Sequence, residues 1–370
     1  MSEEKSTVYF ADLRADSKRN LLDKIDALLE CVGIKRRFKK GHLAAIKLHF
    51  GEKGNTSYIQ PVFVRRVVER VKETGASPFL TDTNTLYVGT RGNTVAHITT
   101  AIENGFDYAV TSAPIVIADG LRGEYRVPVE VNGRHFKEVS IAGGIVNASA
   151  LVVLTHFKCH ELTGFGGALK NTGMGCASRE GKLAQHSNCA PVVEPAGCTA
   201  CGECALACPV DAIDVGATAV INDGACIGCG HCIAVCPEGT IRIRWDETAS
   251  NLQEKMIEHV RGVLSGKEER SVFLNFITRV SPACDCYGHN DAPIVPDVGI
   301  AASTDPVAID QACADLVNAQ EGFKNTALKD GLARGGDKFR GVHPDVDWTV
   351  QLKAAEAAGL GKRLYRLEKI

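Results

Sequence analysis

The sequence predicts an α/β protein, a mostly parallel sheet with helices on both faces, interrupted by a small cysteine-rich α+β module. Three observations predict it. Apolar runs of strand length alternate with amphipathic helices, with turns short enough to make βαβ units. The alternation stands on both sides of one segment, so that segment is inserted and not appended. The segment itself, Cys198 to Pro237, repeats one cysteine pattern twice.

Taken in order, Ser17 is expected to cap a helix carrying Leu21, Leu22, Ile25, Leu28 and Leu29 on one face, with Gly33 ending it. Leu43 to Phe50 reads as a buried strand. Pro61 opens a helix with Val64, Val67, Val68 and Val71 inward, Gly75 stops it, and Pro78 to Thr81 follows as a strand parallel to the first, joined by a right-handed crossover. A helix near Thr94 to Glu103 and a strand at Ile115 to Ala118 come next, then a hairpin of Tyr125 to Val131 and His135 to Ile141 about Asn132-Gly133. Ala150 to His156 is a very apolar strand that runs into a long polar, Gly-rich stretch without periodicity, a pattern that points to function. Beyond the cysteines come a helix at Asn251 to Leu264, strands at Val272 to Ile277 and Ile294 to Ala301, a helix capped by Thr304 with Pro306 in its first turn, and a closing helix from Trp348 to Ala358. The implied organisation is residues 1–189 as the first part of the α/β domain, 190–245 as the insertion and 246–370 as the second part.

The inserted segment reads Cys198-x-x-Cys201-x-x-Cys204-x-x-x-Cys208-Pro209, then Cys226-x-x-Cys229-x-x-Cys232-x-x-x-Cys236-Pro237. This is the two-cluster spacing of a bacterial ferredoxin-like module. Three thiolates on one tight loop converge on three corners of an iron–sulfur cube, and the last cysteine of the other run reaches the fourth. Cys198, Cys201, Cys204 and Cys236 are thus expected to hold one [4Fe-4S] cluster; Cys226, Cys229, Cys232 and Cys208 hold the other. Zinc is the alternative, but it usually takes ligands in two pairs, often with His.

The chain has 370 residues, 45% hydrophobic and 23% charged, with a formal net charge of -2 and a pI near 6.6. Nothing marks a nucleic-acid or membrane partner, and no apolar run has signal-peptide or spanning length. A cytoplasmic location is expected, in which the 15 cysteines are metal ligands and free thiols, not a disulfide framework.

A second candidate chemistry lies after the strand at Ala150. His156, Lys158, Cys159, His160, Lys170 and Asn171 alternate with Gly164, Gly166, Gly167, Gly173 and Gly175. Ligands of α/β sheets usually bind at strand C-terminal ends, where glycines admit a ligand to the backbone and lysines neutralise an anion. Lys47, His49 and Lys53 stand at the end of an earlier strand; Asp82, Thr83 and Asn84 end the next. A surface loop of solvated lysines is the bland alternative. Cys31 and Cys313 read as buried hydrophobes. Cys159, Cys176, Cys189, Cys284 and Cys286 sit in polar loops, and Cys284-Asp285-Cys286 near His289 is a candidate metal or thiolate site. Asp291 and Asp297 are pocket carboxylates or turn residues.

The segment THFKCHELTGFGGALKNTGMGC, the cysteine runs after it, and PACDCYGHNDAPIVPDVGIAASTDPVAIDQACADLV together resemble the iron–sulfur proteins of the "domain of unknown function 362" family, roughly from Ile46 to Leu316. The resemblance implies an α/β domain with two [4Fe-4S] clusters and a redox role, without a settled substrate. Positions matching its motifs are Lys158, His160, Lys170 and Asn171 before the insertion, and Cys284, Cys286, Asp297, Asp305 and Asp310 after it.

The expected function is an oxidoreductase that takes electrons from a soluble ferredoxin or another carrier and delivers them to a small anionic or carbonyl-bearing molecule, or to a flavin or deazaflavin, near the Lys158–Asn171 loop. Lys158 and Lys170 would bind negative charge and His160 or His156 would move protons, with Asn171, Gly166, Gly167, Lys47, His49 and Asp297 as binding residues. The alternatives are a non-enzymatic relay to a larger partner and a metal-centre assembly factor using Cys284 and Cys286. No G-x-G-x-x-G follows a strand, which argues against a Rossmann-type dinucleotide site. A homodimer is the base-rate expectation.

Overall fold

The computed structural model describes residues 5–87, 89–187 and 189–370. Among them, eight strands form one sheet in the order Tyr365–Lys369, Ser6–Asp12, Gly299–Ser303, Ser271–Ile277, Ala150–His156, Leu43–Lys47, Ser77–Asp82, Ile115–Ile117. Every neighbouring pair is parallel except those made by Gly299–Ser303. The mostly parallel α/β class is as the sequence predicts.

The central strand Ala150–His156 shows why the sheet needs two covering layers. All seven of its residues are buried. Leu151 and Val153 point into one apolar core; Ala150, Val152 and Leu154 point into the other. Each large side chain so removed from water stabilises the fold by about 1.5–3 kcal/mol. The first core is completed by Met256, Val260, Ile309 and Leu352 from helices on that face, and the second by Ile25, Leu28, Val64 and Val68 from helices on the other.

Chain order sets the position of the site. From Leu43–Lys47 the chain adds Ser77–Asp82 and Ile115–Ile117 on one side, then crosses back to lay Ala150–His156 on the other. The reversal opens a crevice at the carboxyl ends of the Leu43 and Ala150 strands, where ligands of open α/β sheets bind.

Several element boundaries depart from the sequence expectation. The first helix is Leu21–Cys31 and its cap is Asn20, in a capping box with Asp23, not Ser17. Asp305, not Thr304, caps the helix Pro306–Asn318. The strand expected at Ile294 to Ala301 is Gly299–Ser303. The hairpin Arg126–Glu130 with Glu138–Ala142 forms, but its tip lies at Arg134-His135, closed by a Gly133 N–H to Phe136 carbonyl bond. The reason is tertiary: the Glu258 carboxylate accepts the backbone N–H groups of His135 and Phe136, and Glu254 holds the His135 ring. The Gly-rich stretch is not a loop. It forms the hairpin Lys158–His160 with Gly164–Gly166 and the helices Ala168–Gly173 and Arg179–His186. Strand Ser6–Asp12 and the edge strand Tyr365–Lys369 beside it were not foreseen.

Residues between the strands at Ala150 and Ser271 include the cysteine-rich segment. It contains two short two-stranded ladders, Val192–Val193 with Ile241–Arg242 and Ile213–Val215 with Ala219–Ile221, and helices Glu203–Leu206 and His231–Val235. Its small core, with Cys204, Cys232, Ile213 and Ile233, is shared with Leu86 and Leu183 of the α/β part. Among the described residues no helix is long and apolar enough to cross a membrane.

Candidate functional site

The crevice is a cavity of about 670 Å³, a size that suits a small metabolite or ring cofactor. Lys47, His49, Lys158, His160, Gly166, Gly167, Lys170, Asn171 and Cys286 line it, as do Asp82 and Thr83. Parallel strands bring these together because their carboxyl ends share one edge.

Its floor is a closed network. Lys47 Nζ lies 3.0 Å from the Asp82 carboxylate and donates to Asn171 Oδ1 at 2.6 Å. Asn171 is itself fixed by donating to the Leu154 carbonyl and Thr155 Oγ1. Gly175 must be small here: a Cβ would meet the Asn171 carbonyl at 2.3 Å and Lys47 Nζ at 2.6 Å. Arg91 joins Asp82 at 3.3 Å and Glu52 at 3.2 Å. Burial would raise the Asp82 carboxyl, but Lys47, His97, Arg91 and Lys182 hold it below its usual value.

The wall is set by Asp285. Its buried carboxylate lies 2.9 Å from His156 Nδ1 and 3.2 Å from Lys158 Nζ. His156 Nε2 faces the Thr278 carbonyl at 2.9 Å, so both ring nitrogens are engaged behind the pocket. The expectation that His156 binds ligand or moves protons there is therefore corrected: it positions Lys158 through Asp285.

His49 and His160 do face the cavity. Burial, reinforced by nearby lysines and, at His49, by Arg91, holds both well below the usual imidazole range, so both are neutral. Each accepts a backbone N–H at Nδ1, from Gly51 at 3.0 Å and from Leu162 at 3.1 Å. A neutral ring that accepts at Nδ1 carries its proton on Nε2. Both rings therefore offer Nε2–H donors to the cavity.

Five basic side chains line the cavity, Lys47, Arg91, Lys158, Lys170 and Lys182, against the acidic Glu52, Asp82 and Glu161. Lys182 is spent on Thr83 Oγ1 and the Asn84 carbonyl. Among the described residues Lys170 forms no ion pair; its ammonium lies 3.6 Å from Cys284 Sγ. Burial, then the charge of Lys158, brings Lys170 down to about 7. It rides on the helix Ala168–Gly173, whose first N–H groups, of Ala168 and Leu169, are accepted by buried Asp310 at 2.7 and 2.9 Å. Asp310 thus has a positioning role.

Other expectations are corrected. Asp297 is exposed and accepts the Arg279 N–H in a turn, apart from the cavity. Lys53 pairs with Glu103 at the surface. Asp305 caps a helix and bonds Ser6. Cys31 is partly exposed, because the helix turns it toward the surface, whereas Cys313 is buried as expected. Cys159 and Cys176 are buried in the main core, where burial pushes both thiols up. Cys284 and Cys286 are not free: they are joined by a disulfide across Asp285, with Cα atoms 5.1 Å apart. With His49 they present ligand atoms within 4.8 Å of one another. Metal-binding His normally donates its other ring N–H, whereas His49 Nδ1 accepts one.

Sequence reasoning missed Arg91, Glu52, Tyr87, Lys182, His186 and Trp245 in the lining. Arg91 is a buried arginine in a loop with no local signal. Lys182 follows the cap Ser178 on a helix, which marks the helix but not the direction of its lysine.

Cys189 is exposed, and the eight cysteines of the two runs face two small hollows. Cys198, Cys201, Cys204 and Cys236 line one, with Pro237; Cys208, Cys226, Cys229 and Cys232 line the other. Each set takes three members from one run and one from the other. All eight are free thiols. Backbone N–H groups of Ala219, Ala212, Gly228 and Thr240 point at the sulfurs of Cys198, Cys208, Cys226 and Cys236, 3.2–3.4 Å away. Leu86 borders both the cavity and the core around these cysteines.

Residues 44–315 match the profile of the family described as Domain of unknown function (DUF362). The chain belongs to the DUF362 family. No curated protein matches this DUF362 member. Among solved structures, the lactate racemase apoprotein from Thermoanaerobacterium thermosaccharolyticum aligns at 13% identity and a TM-score of 0.43, over 86% of this chain and 60% of that one. A protein from Thermotoga maritima aligns at 12% identity and a TM-score of 0.40, over 79% and 57%. The DUF362 chain therefore spans less than two thirds of either.

Proposed function

We propose that this protein is an iron–sulfur oxidoreductase whose cysteine-rich segment is a ferredoxin-like module for two [4Fe-4S] clusters, feeding a small anionic or carbonyl-bearing molecule held in the crevice. The observation that carries the reading is the crossed grouping of the eight thiols around two hollows beside that crevice. The donor set fits the group. Among the described residues no three of these sulfurs lie within 4.8 Å of one another, the closeness a single ion would need. A cube of iron and sulfide holds its thiolates wider apart, around a hollow. The backbone N–H groups aimed at the sulfurs are the contacts that tune such clusters. When bound, the clusters would supply electrons one at a time.

The protein's own residues do the rest. The Nε2–H groups of His49 and His160 and the ammonium of Lys170 converge on the cavity as donors for an oxyanion or carbonyl oxygen. Lys170, down to about 7, can give up a proton near neutrality. Lys47, Asp82 and Asn171 hold one another in place. The cavity volume also suits a flavin-type ring.

The test is anaerobic purification followed by iron, sulfide and chromophore analysis. About eight irons per chain are expected; about four, or zinc in their place, would sink the two-cluster reading.

A second reading, a relay to a larger partner, draws on one observation. Leu206, Val220 and Ile227 are 85%, 62% and 53% exposed on the cysteine-rich segment, and residues 198–240 contain no Lys or Arg. Such a surface suits docking to a basic partner. Electron transfer to a carrier without turnover of any small molecule would favour the relay.

A further inference from the structure

We propose that Cys284 and Cys286 are a two-electron redox pair that serves the crevice, closed as a disulfide when oxidised and open as two thiols when reduced. The source of its electrons rests on the reading above; the pair itself does not.

Position is the first argument. Cys286 lines the crevice, and Cys284 lies buried beneath it. A molecule in the cavity meets the Cys286 sulfur while the Cys284 sulfur faces Lys170 Nζ, 3.6 Å away. The second argument is rigidity. Asp285, between the two, is gripped by His156 and Lys158, and its carbonyl accepts the Glu52 N–H at 3.1 Å. The turn therefore keeps both sulfurs within reach after the bond opens. The third is stabilisation of the leaving sulfur. Lys170 and the Cys286 N–H, 3.4 Å from Cys284 Sγ, both favour a thiolate there. Cys159, Cys176 and Cys313, by contrast, are buried singly in the apolar core.

The balance is simple. Reduction breaks one S–S bond and takes two electrons and two protons, leaving a thiol on each sulfur. A one-electron iron–sulfur carrier, acting twice, supplies the electrons. Reoxidation re-forms the S–S bond and returns two electrons and two protons to an acceptor in the crevice, such as a small anionic disulfide, whose own S–S bond opens to two thiols by exchange through a mixed disulfide with Cys286. A pair of this kind converts single-electron delivery into the two-electron step that such a molecule requires.

The test uses the full-length protein with its iron in place. After exposure to oxidised glutathione it is treated with N-ethylmaleimide, digested and weighed, with and without prior reduction by dithiothreitol or by reduced methyl viologen. The peptide carrying Cys284 and Cys286 is expected to take no label before reduction and two after either reductant. Lys170→Met should slow labelling of the reduced Cys284 roughly tenfold at pH 7. Two labels without reduction would overturn the proposal. So would resistance to label after reduction with a metal ion retained in the native mass. Cys286→Ser must abolish the oxidisable pair and leave the iron content unchanged. A pair that cycles in protein lacking iron would sink the oxidoreductase reading alone; full iron with a pair that never closes would sink this one alone.

Discussion

The carboxylate of Asp285 stands 2.9 Å from His156 Nδ1, fully buried, and joins the end of the central strand to the turn that carries Cys284 and Cys286. Burial by itself would raise this carboxyl, but His156 and Lys158 hold it far below the ordinary carboxylate range. Its pKa is thus lower in the folded than in the unfolded chain. The stability it contributes is complete above about pH 4 and lost as pH falls further, because the unfolded chain takes up the proton first. Asp285→Asn should cost about 3 kcal/mol in urea unfolding at pH 7 and flatten the loss of stability below pH 4. An unchanged acid profile in the variant would show that other carboxylates set it.

Lys170 predicts how ligand binding responds to pH. With its amine down to about 7, the charge that attracts an anion is present below that pH and fades above it. Affinity for oxalate, followed by calorimetry, should fall by up to roughly tenfold per pH unit above 7, until the pKa of the bound state is passed. Lys170→Met should bind more weakly and without this slope. A flat profile in the unaltered protein would remove Lys170 from anion recognition.

Double variants test the crossed grouping of the cysteines. Cys208 shares a hollow with Cys226 and not with Cys198. Cys208→Ser with Cys226→Ser should therefore keep about four irons, whereas Cys208→Ser with Cys198→Ser should keep almost none. The opposite order would mean that each run holds its own cluster.

Gly167 tests the seat of the pocket helix. A Cβ there would lie 2.3 Å from Asp310 Oδ1, the atom that accepts the Ala168 N–H. Gly167→Ala should destabilise the protein by about 1–3 kcal/mol and weaken oxalate binding by displacing Lys170. A variant with unaltered melting and affinity would show that Asp310 yields without consequence.

The rim of the crevice was legible because a parallel sheet is predictable from strand, helix and turn lengths, and its carboxyl ends gather Lys47, His49, Lys158 and His160 wherever they fall in sequence. The partners of these residues were not. Arg91 binds Asp82 and Glu52 across a loop whose path no periodicity announces. His156, at the same strand end as Lys158, looked equally placed to meet a ligand; a single buried aspartate turns it away. Asp297 and Asp285 are both loop aspartates in sequence, yet one is solvated and the other carries the wall. The hairpin tip moved from Asn132-Gly133 because Glu258, distant in sequence, supplies its bonds.

The ladder between Val193 and Ile241 ties the entry of the cysteine-rich segment to its exit. A chain that leaves and returns through one clasp adds little loop entropy to its host, since that cost grows only with the logarithm of length. The segment therefore leaves and rejoins its host at one point: joining the chain across the clasp should leave the eight-stranded sheet able to close while uncovering Leu86 and Leu183, and another folded unit with adjoining ends could be spliced into the same gap.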